Sequence, residues 1–109
     1  MTTYRTEILD RIFVNVEQFI DELVKRDARF TNLNLLRKVI QDQQQAYIDL
    51  LYSFRDEPNN RPFNAAHALI GARILSVAEK LGYEYDETLD NSGKDIFGNP
   101  TKEKFYRRK

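Results

Sequence analysis

The strongest constraint on this chain is the spacing of its large apolar residues. Leu9, Phe13, Val16, Ile20 and Leu23 recur at intervals of four and three. Leu36, Ile40, Tyr47, Leu50 and Phe54 continue the same rule in the next segment. A strand places alternate residues on one face, whereas a helix of 3.6 residues per turn brings positions three and four apart together. Both segments therefore read as helices packed against other helices. Ile8, Ile12, Phe19 and Val24 widen the first stripe, and Leu33, Val39, Ile48 and Leu51 widen the second. Such width suits a bundle better than a two-stranded coiled coil.

Capping residues set the limits. Thr2 or Thr3 can cap a first helix spanning about Tyr4 to Arg26, with Glu7 near its positive end. Thr31 can cap the second, and Phe30 and Leu35 have the spacing of a hydrophobic staple around it. Arg55 to Phe63 holds Pro58 and Pro62 with Asn59 and Asn60, and reads as a loop. A third helix is expected from Asn64 to Leu81, with Ala66, Ile70, Ile74, Val77 and Leu81 as its stripe. Gly82 suits the left-handed residue that ends a helix. Ala68, Ala72 and Ser76, with Gly71 beside them, form a small-residue ridge read as helix packing or, alternatively, as a self-association face.

Beyond Gly82 the pattern lapses. Residues 83–96 carry net charge −4 and residues 97–109 net charge +4. Asp90-Asn-Ser-Gly93 and Gly98-Asn-Pro100 read as turns. Tyr83, Tyr85, Leu89, Ile96, Phe97, Phe105 and Tyr106 are too many large apolar groups for an inert linker. The expected fold is all-α: an antiparallel bundle of three main helices over residues 1–82, and an irregular tail over 83–109 docked on the bundle or on a partner. A short helix near Thr101–Arg108 or a small hairpin around Phe97–Lys102 fits the tail as well.

Composition narrows function mainly by exclusion. The chain has 109 residues, 17 basic and 17 acidic, so no global field draws it to nucleic acid or an anionic membrane. It has no cysteine, which removes disulfides and thiolate chemistry and fits a cytoplasmic setting. No apolar run approaches a membrane span, and the start reads as an amphipathic helix rather than a secretion signal. Glycine-rich phosphate loops, nucleophile elbows and zinc-protease motifs are missing. Neither a metal nor a cofactor is expected. Thr88, Asp90, Ser92 and Gly93 echo the start of a calcium loop, but Asn99 stands where a bidentate glutamate is needed.

Three groups of residues remain as candidates. Arg61 and His67 have an R-x5-H spacing that resembles the motif of the HEPN ribonuclease family, which are helical bundles that usually act as dimers. That resemblance implies RNA cleavage, with Arg61 stabilising phosphate charge and His67 activating or orienting the 2′-hydroxyl. Pro62 departs from the polar residue usual after the arginine. Phe97, Phe105, Tyr106, Arg107 and Arg108 form a candidate partner-binding set, and the basic end from Lys102 to Lys109 could also contact nucleic acid through phosphates and stacking. Gln43, Tyr47, Ala68 and Ala72 are candidates for an oligomer interface. Gln43 breaks the apolar seam, so it either pairs across an interface or marks a slight rotation of the helix.

The expected role is a non-enzymatic protein-interaction module: a small accessory, regulatory or inhibitory protein of the kind phages and mobile elements encode. It has a protein partner and tends to form homo-oligomers, a dimer first. The alternatives are a structural subunit of a homo-oligomeric assembly such as a viral particle, and a small ribonuclease using Arg61 and His67.

Overall fold

The structure is a computed structural model that describes residues 4–86, 91–95 and 97–108. The Thr2 or Thr3 cap, Thr88 and Asp90 of the calcium echo, Leu89, Ile96 and Lys109 lie outside those residues. Among the described residues five helices form: α1 (Tyr4–Ile12), α2 (Val16–Asp27), α3 (Asn32–Asp42), α4 (Gln44–Ser53) and α5 (Pro62–Lys80). The same residues hold five short strands: β1 (Arg29–Thr31), β2 (Tyr83–Tyr85), β3 (Asn91–Lys94), β4 (Pro100–Glu103) and β5 (Phe105–Arg108). The fold is thus mixed α and β, which overturns the all-α three-helix bundle.

The first two expected helices are each broken near the middle. After Phe13 the first chain segment tightens, with Val14 N donating to Arg11 O at 3.4 Å and Val16 N to Phe13 O at 3.1 Å. The second breaks at Gln43, whose φ of −125° and ψ of 61° leave the helical region. One carboxylate ties the two interruptions together. Asp42 Oδ2 accepts from Asn15 Nδ2 at 3.0 Å and from Gln43 Nε2 at 3.1 Å. Gln43 is therefore the hinge residue between α3 and α4 rather than a seam position. The breaks let α1 lie along α4 while α2 packs on α3 and β1, and α5 closes the core against α3 and α4. Apolar residues keep helical phase across each break, so the periodicity conceals it.

Thr31 does cap α3. Its Oγ1 accepts from Asn34 N at 3.1 Å, and Asn34 Oδ1 accepts from Thr31 N at 2.9 Å, closing a reciprocal capping box. Phe30 and Leu35 are both fully buried beside it. The third helix begins two residues earlier than Asn64 would place it. Pro62 occupies the first helical position, where a missing N–H costs nothing. Ahead of it, the Glu57 carboxylate accepts from Asn59 N and Arg61 N and organises the loop. Gly82 ends the helical run with φ of +87°.

The described part of the tail is largely strand rather than irregular. β5 is the middle of a three-stranded antiparallel sheet, ordered β1-β5-β2. Phe30 faces Tyr106, and Tyr106 faces Tyr85. Phe30 stacks on Tyr106 with centroids 5.2 Å apart, and meets Tyr83 edge-on at 5.3 Å. Buried Phe30, Tyr83 and Tyr106 extend the helical core into the sheet. On the other face Glu84 opposes Arg107, whose guanidinium reaches Glu84 at 3.1 Å and Asp86 at 3.3 Å. The polarised charge of the tail is thus spent partly on cross-strand pairs. β3 and β4 form a separate two-stranded ladder, from Asn91↔Glu103 to Lys94↔Pro100. No helix forms over Thr101–Arg108.

Candidate functional site

The β3–β4 ladder is fastened to the start of α3. Asn32 N donates to Lys104 O at 3.0 Å, and Asn32 Oδ1 accepts from Lys104 N at 2.8 Å. Thr31 Oγ1, which also serves as the cap acceptor, donates to Glu103 Oε2 at 2.7 Å. Gly93 rests on Leu33, where a Cβ would overlap the Leu33 Cδ1 methyl. Beyond β3 the chain reverses around Asp95. Its Oδ1 accepts from Phe97 N and Asn99 N, both at 2.9 Å, and Gly98 takes φ of +78°. This local arrangement is an Asx-type turn, and it carries Phe97 over α5.

Phe97 meets Phe63 there, edge to face, with centroids 5.7 Å apart and planes at 83°. Below them lies a hollow of about 310 Å³ between α3, α5 and the β3–β4 ladder. Leu33, Leu36 and Ile74 line it with apolar surface, while Ala68 and Gly71 leave it open. Arg37, Asn64, Lys94 and Asp95 supply its polar groups. On the other side of Phe63 a wider groove of about 590 Å³ runs between α3 and α4, lined by Leu36, Ile40, Tyr47 and Ile48.

His67 stands in the wall of the smaller hollow. Its Nε2 lies 2.6 Å from Tyr47 Oη, and the Phe63 ring meets it edge-on at 6.4 Å. Burial pushes the His67 pKa below its ordinary value, and the charge of Asp95 offsets part of that shift. Burial also raises the Tyr47 phenol above its ordinary range. Near neutral pH the pair is therefore an uncharged imidazole hydrogen-bonded to an uncharged phenol.

Arg61 is not part of this arrangement. It is exposed at the N-terminal boundary of α5, and no hydrogen bond, ion pair or ring contact links it to His67. The set Phe97, Phe105, Tyr106, Arg107 and Arg108 is scattered. Tyr106 is in the core, and Arg107 is paired with Glu84 and Asp86. Arg108 donates to Tyr83 Oη at 3.1 Å, and Phe105 lies under the Arg29 guanidinium. Of the three aromatic residues in the set, Phe97 is the most exposed, with 58% of its surface open. Ala68, Ala72 and Ser76 point to solvent, so the small-residue ridge does not pack between helices. Tyr47 and Ala68 border the hollows, whereas Gln43 sits at the hinge.

The sequence reading passed over Phe63, Arg37, Lys94 and Asp95. Phe63 stood at the end of a presumed loop, and its position after a helix-starting proline was the available signal. Arg37 becomes a neighbour of Lys94 and Asp95 only through the tail's return across α3. Among the described residues no three or more histidine or acidic side chains cluster to hold a metal ion, and no helix is long and apolar enough to cross a membrane. Compared with known proteins, the chain matches no protein family, no curated sequence and no solved structure.

Proposed function

We propose that the chain is a non-enzymatic protein-interaction module that docks its partner on the apolar shelf formed by α3, α4 and the first turn of α5. One observation carries the reading: Ile48 and Phe63 stay exposed along one open groove, at 60% and 36%, and Phe97, 58% exposed, stands edge to face with Phe63 at its border. Large apolar groups left in water at one place cost hydration free energy that a partner surface would recover. Aromatic anchors beside a hydrophobic groove are the usual core of a protein interface, and a groove between two helices suits the apolar face of a partner helix. A cysteine-free chain of balanced charge supports a cytoplasmic, accessory role for such a module.

A photo-crosslinking residue placed at position 48 or 97, with position 80 on the far end of α5 as control, tests this in cells that express the chain naturally. The reading expects one protein captured from positions 48 and 97 and not from 80, with capture abolished by Ile48→Asp. Equal capture at all three positions, or none, overturns it. If the captured protein is a second copy of the chain, the module is a homo-oligomer, and mass measurement of the pure protein must then give a dimer or larger assembly.

A further inference from the structure

We infer that the hollow beneath Phe63 and Phe97 is a binding site for a small aromatic anion, a flat ring carrying a carboxylate or phosphate group. This goes beyond the docking groove, which lies on the other face of Phe63.

Shape is the first ground. At about 310 Å³ the hollow stands at the lower end of small-ligand sites, which run from roughly 300 to 1,000 Å³. Its walls are two phenyl rings at right angles, so an inserted ring meets one by its face and the other by its edge. Its base is Leu33, Leu36 and Ile74, and Gly71 has nothing within 4 Å of where a Cβ would stand. The absence of bulk there leaves room for a ring.

Charge is the second ground, and it is independent of the first. Arg37 lines the hollow from α3 and Lys94 from β3. Among the described residues neither makes a hydrogen bond or an ion pair. That sets them apart from Arg5, Arg11, Arg73, Arg107 and Arg108, which are all engaged. Two cations from different elements converge on one small volume. Asp95, the acid beside them, turns Oδ1 to the N–H groups of Phe97 and Asn99, and the formal charge of the three side chains together is +1. An anionic group between a guanidinium and an ammonium would gain charge-assisted hydrogen bonds with fixed geometry on the arginine side. The His67 ring, held by Tyr47, adds a neutral wall, so the positive charge of the site rests on Arg37 and Lys94.

Amide chemical shifts of the isotope-labelled full chain, recorded by NMR during titration, test the assignment. The probes are adenosine monophosphate, hydroxybenzoate, adenosine and inorganic phosphate. The expected result is saturable shifts confined to Arg37, Phe63, His67, Gly71 and Lys94 with at least one of the two aromatic anions. Adenosine and phosphate should bind at least about tenfold more weakly, because each offers half of the recognition. Arg37→Gln with Lys94→Gln, both exposed and so tolerated by the fold, should weaken binding about tenfold or more, as should Phe97→Ala. Ile48→Asp should leave these shifts intact while abolishing partner capture, which separates this inference from the docking reading. No saturable shift with either aromatic anion, or shifts that persist in the Arg37→Gln, Lys94→Gln protein, would overturn it.

Discussion

Phe30 is where the helical and sheet parts of the molecule meet, and removing its ring tests the whole arrangement. It is fully buried, stacked on Tyr106 of the last strand at 5.2 Å and set edge-on to Tyr83 at 5.3 Å. Truncating such a phenylalanine to alanine costs roughly 3–5 kcal/mol, from lost burial and the cavity left behind. A domain of this size holds about 5–15 kcal/mol in all, so Phe30→Ala should forfeit a large part of its stability. With a urea m-value near 2 kcal/mol/M, a loss of about 4 kcal/mol lowers the unfolding midpoint by about 2 M. Helix ellipticity during urea titration reads that shift. Burial alone would give a similar cost wherever the tail lay, so the contact itself needs a double-mutant cycle. Phe30→Leu and Tyr106→Leu, singly and together, should show a coupling of about 0.5–1.5 kcal/mol beyond additivity. Phe97→Ala, at an exposed site, should stay within about 0.5 kcal/mol of the parent. A coupling indistinguishable from zero, or a Phe30→Ala cost below about 1 kcal/mol, would mean that β5 does not dock on β1.

Three other perturbations follow from local geometry. Thr31→Val removes both the acceptor for Asn34 N and the donor to Glu103, and should cost about 1–2 kcal/mol in urea unfolding, with Thr31→Ser restoring most of it. Ala28 ends α2 in the left-handed region at φ 61°, where a Cβ is strained; Ala28→Gly should raise stability by about 0.5–1 kcal/mol, and a lower melting temperature would contradict that backbone. His67 has a folded pKa below its ordinary 6.5, chiefly through burial. The unfolded chain therefore binds its proton first, so the stability is complete above pH 6.5 and is lost as pH falls through the folded value. Urea midpoints between pH 8 and 5 should decline more steeply for the parent than for His67→Gln, and identical curves would sink the assignment.

Much of the helical half was legible in the residues themselves. Thr31, Phe30 and Leu35 announce a capped helix because their groups act over three or four neighbours. Gly82 announces a stop because few other residues accept its φ. The breaks at Phe13–Asn15 and Gln43 were hidden, since a helix can be interrupted without its apolar residues leaving phase. The strands were missed for a related reason. Tyr83-Glu-Tyr85 alternates and Phe105-Tyr-Arg107 does not, and runs of three or four residues are too short to outweigh the polar composition around them. The candidate site was the least visible part. Phe63 and Phe97 are thirty-four positions apart, and Arg37 and Lys94 fifty-seven, so no local spacing connects them.

Local sequence dictated where helical segments could form and where the last of them stops at Gly82, and it closed thiol chemistry to the chain. These are matters of local backbone preference and of which side chains exist. Tertiary structure decided the rest. It folded each long apolar stripe into two helices, since packing against α4 and α3 outweighs the continuity of one rod. It turned the end of an apparently loose tail into the middle strand of a sheet, because Tyr106 gains more against Phe30 and Tyr85 than in water. It also brought two aromatic rings, and two cations that make no ion pair among the described residues, around one hollow, through contacts between residues that chain order keeps far apart.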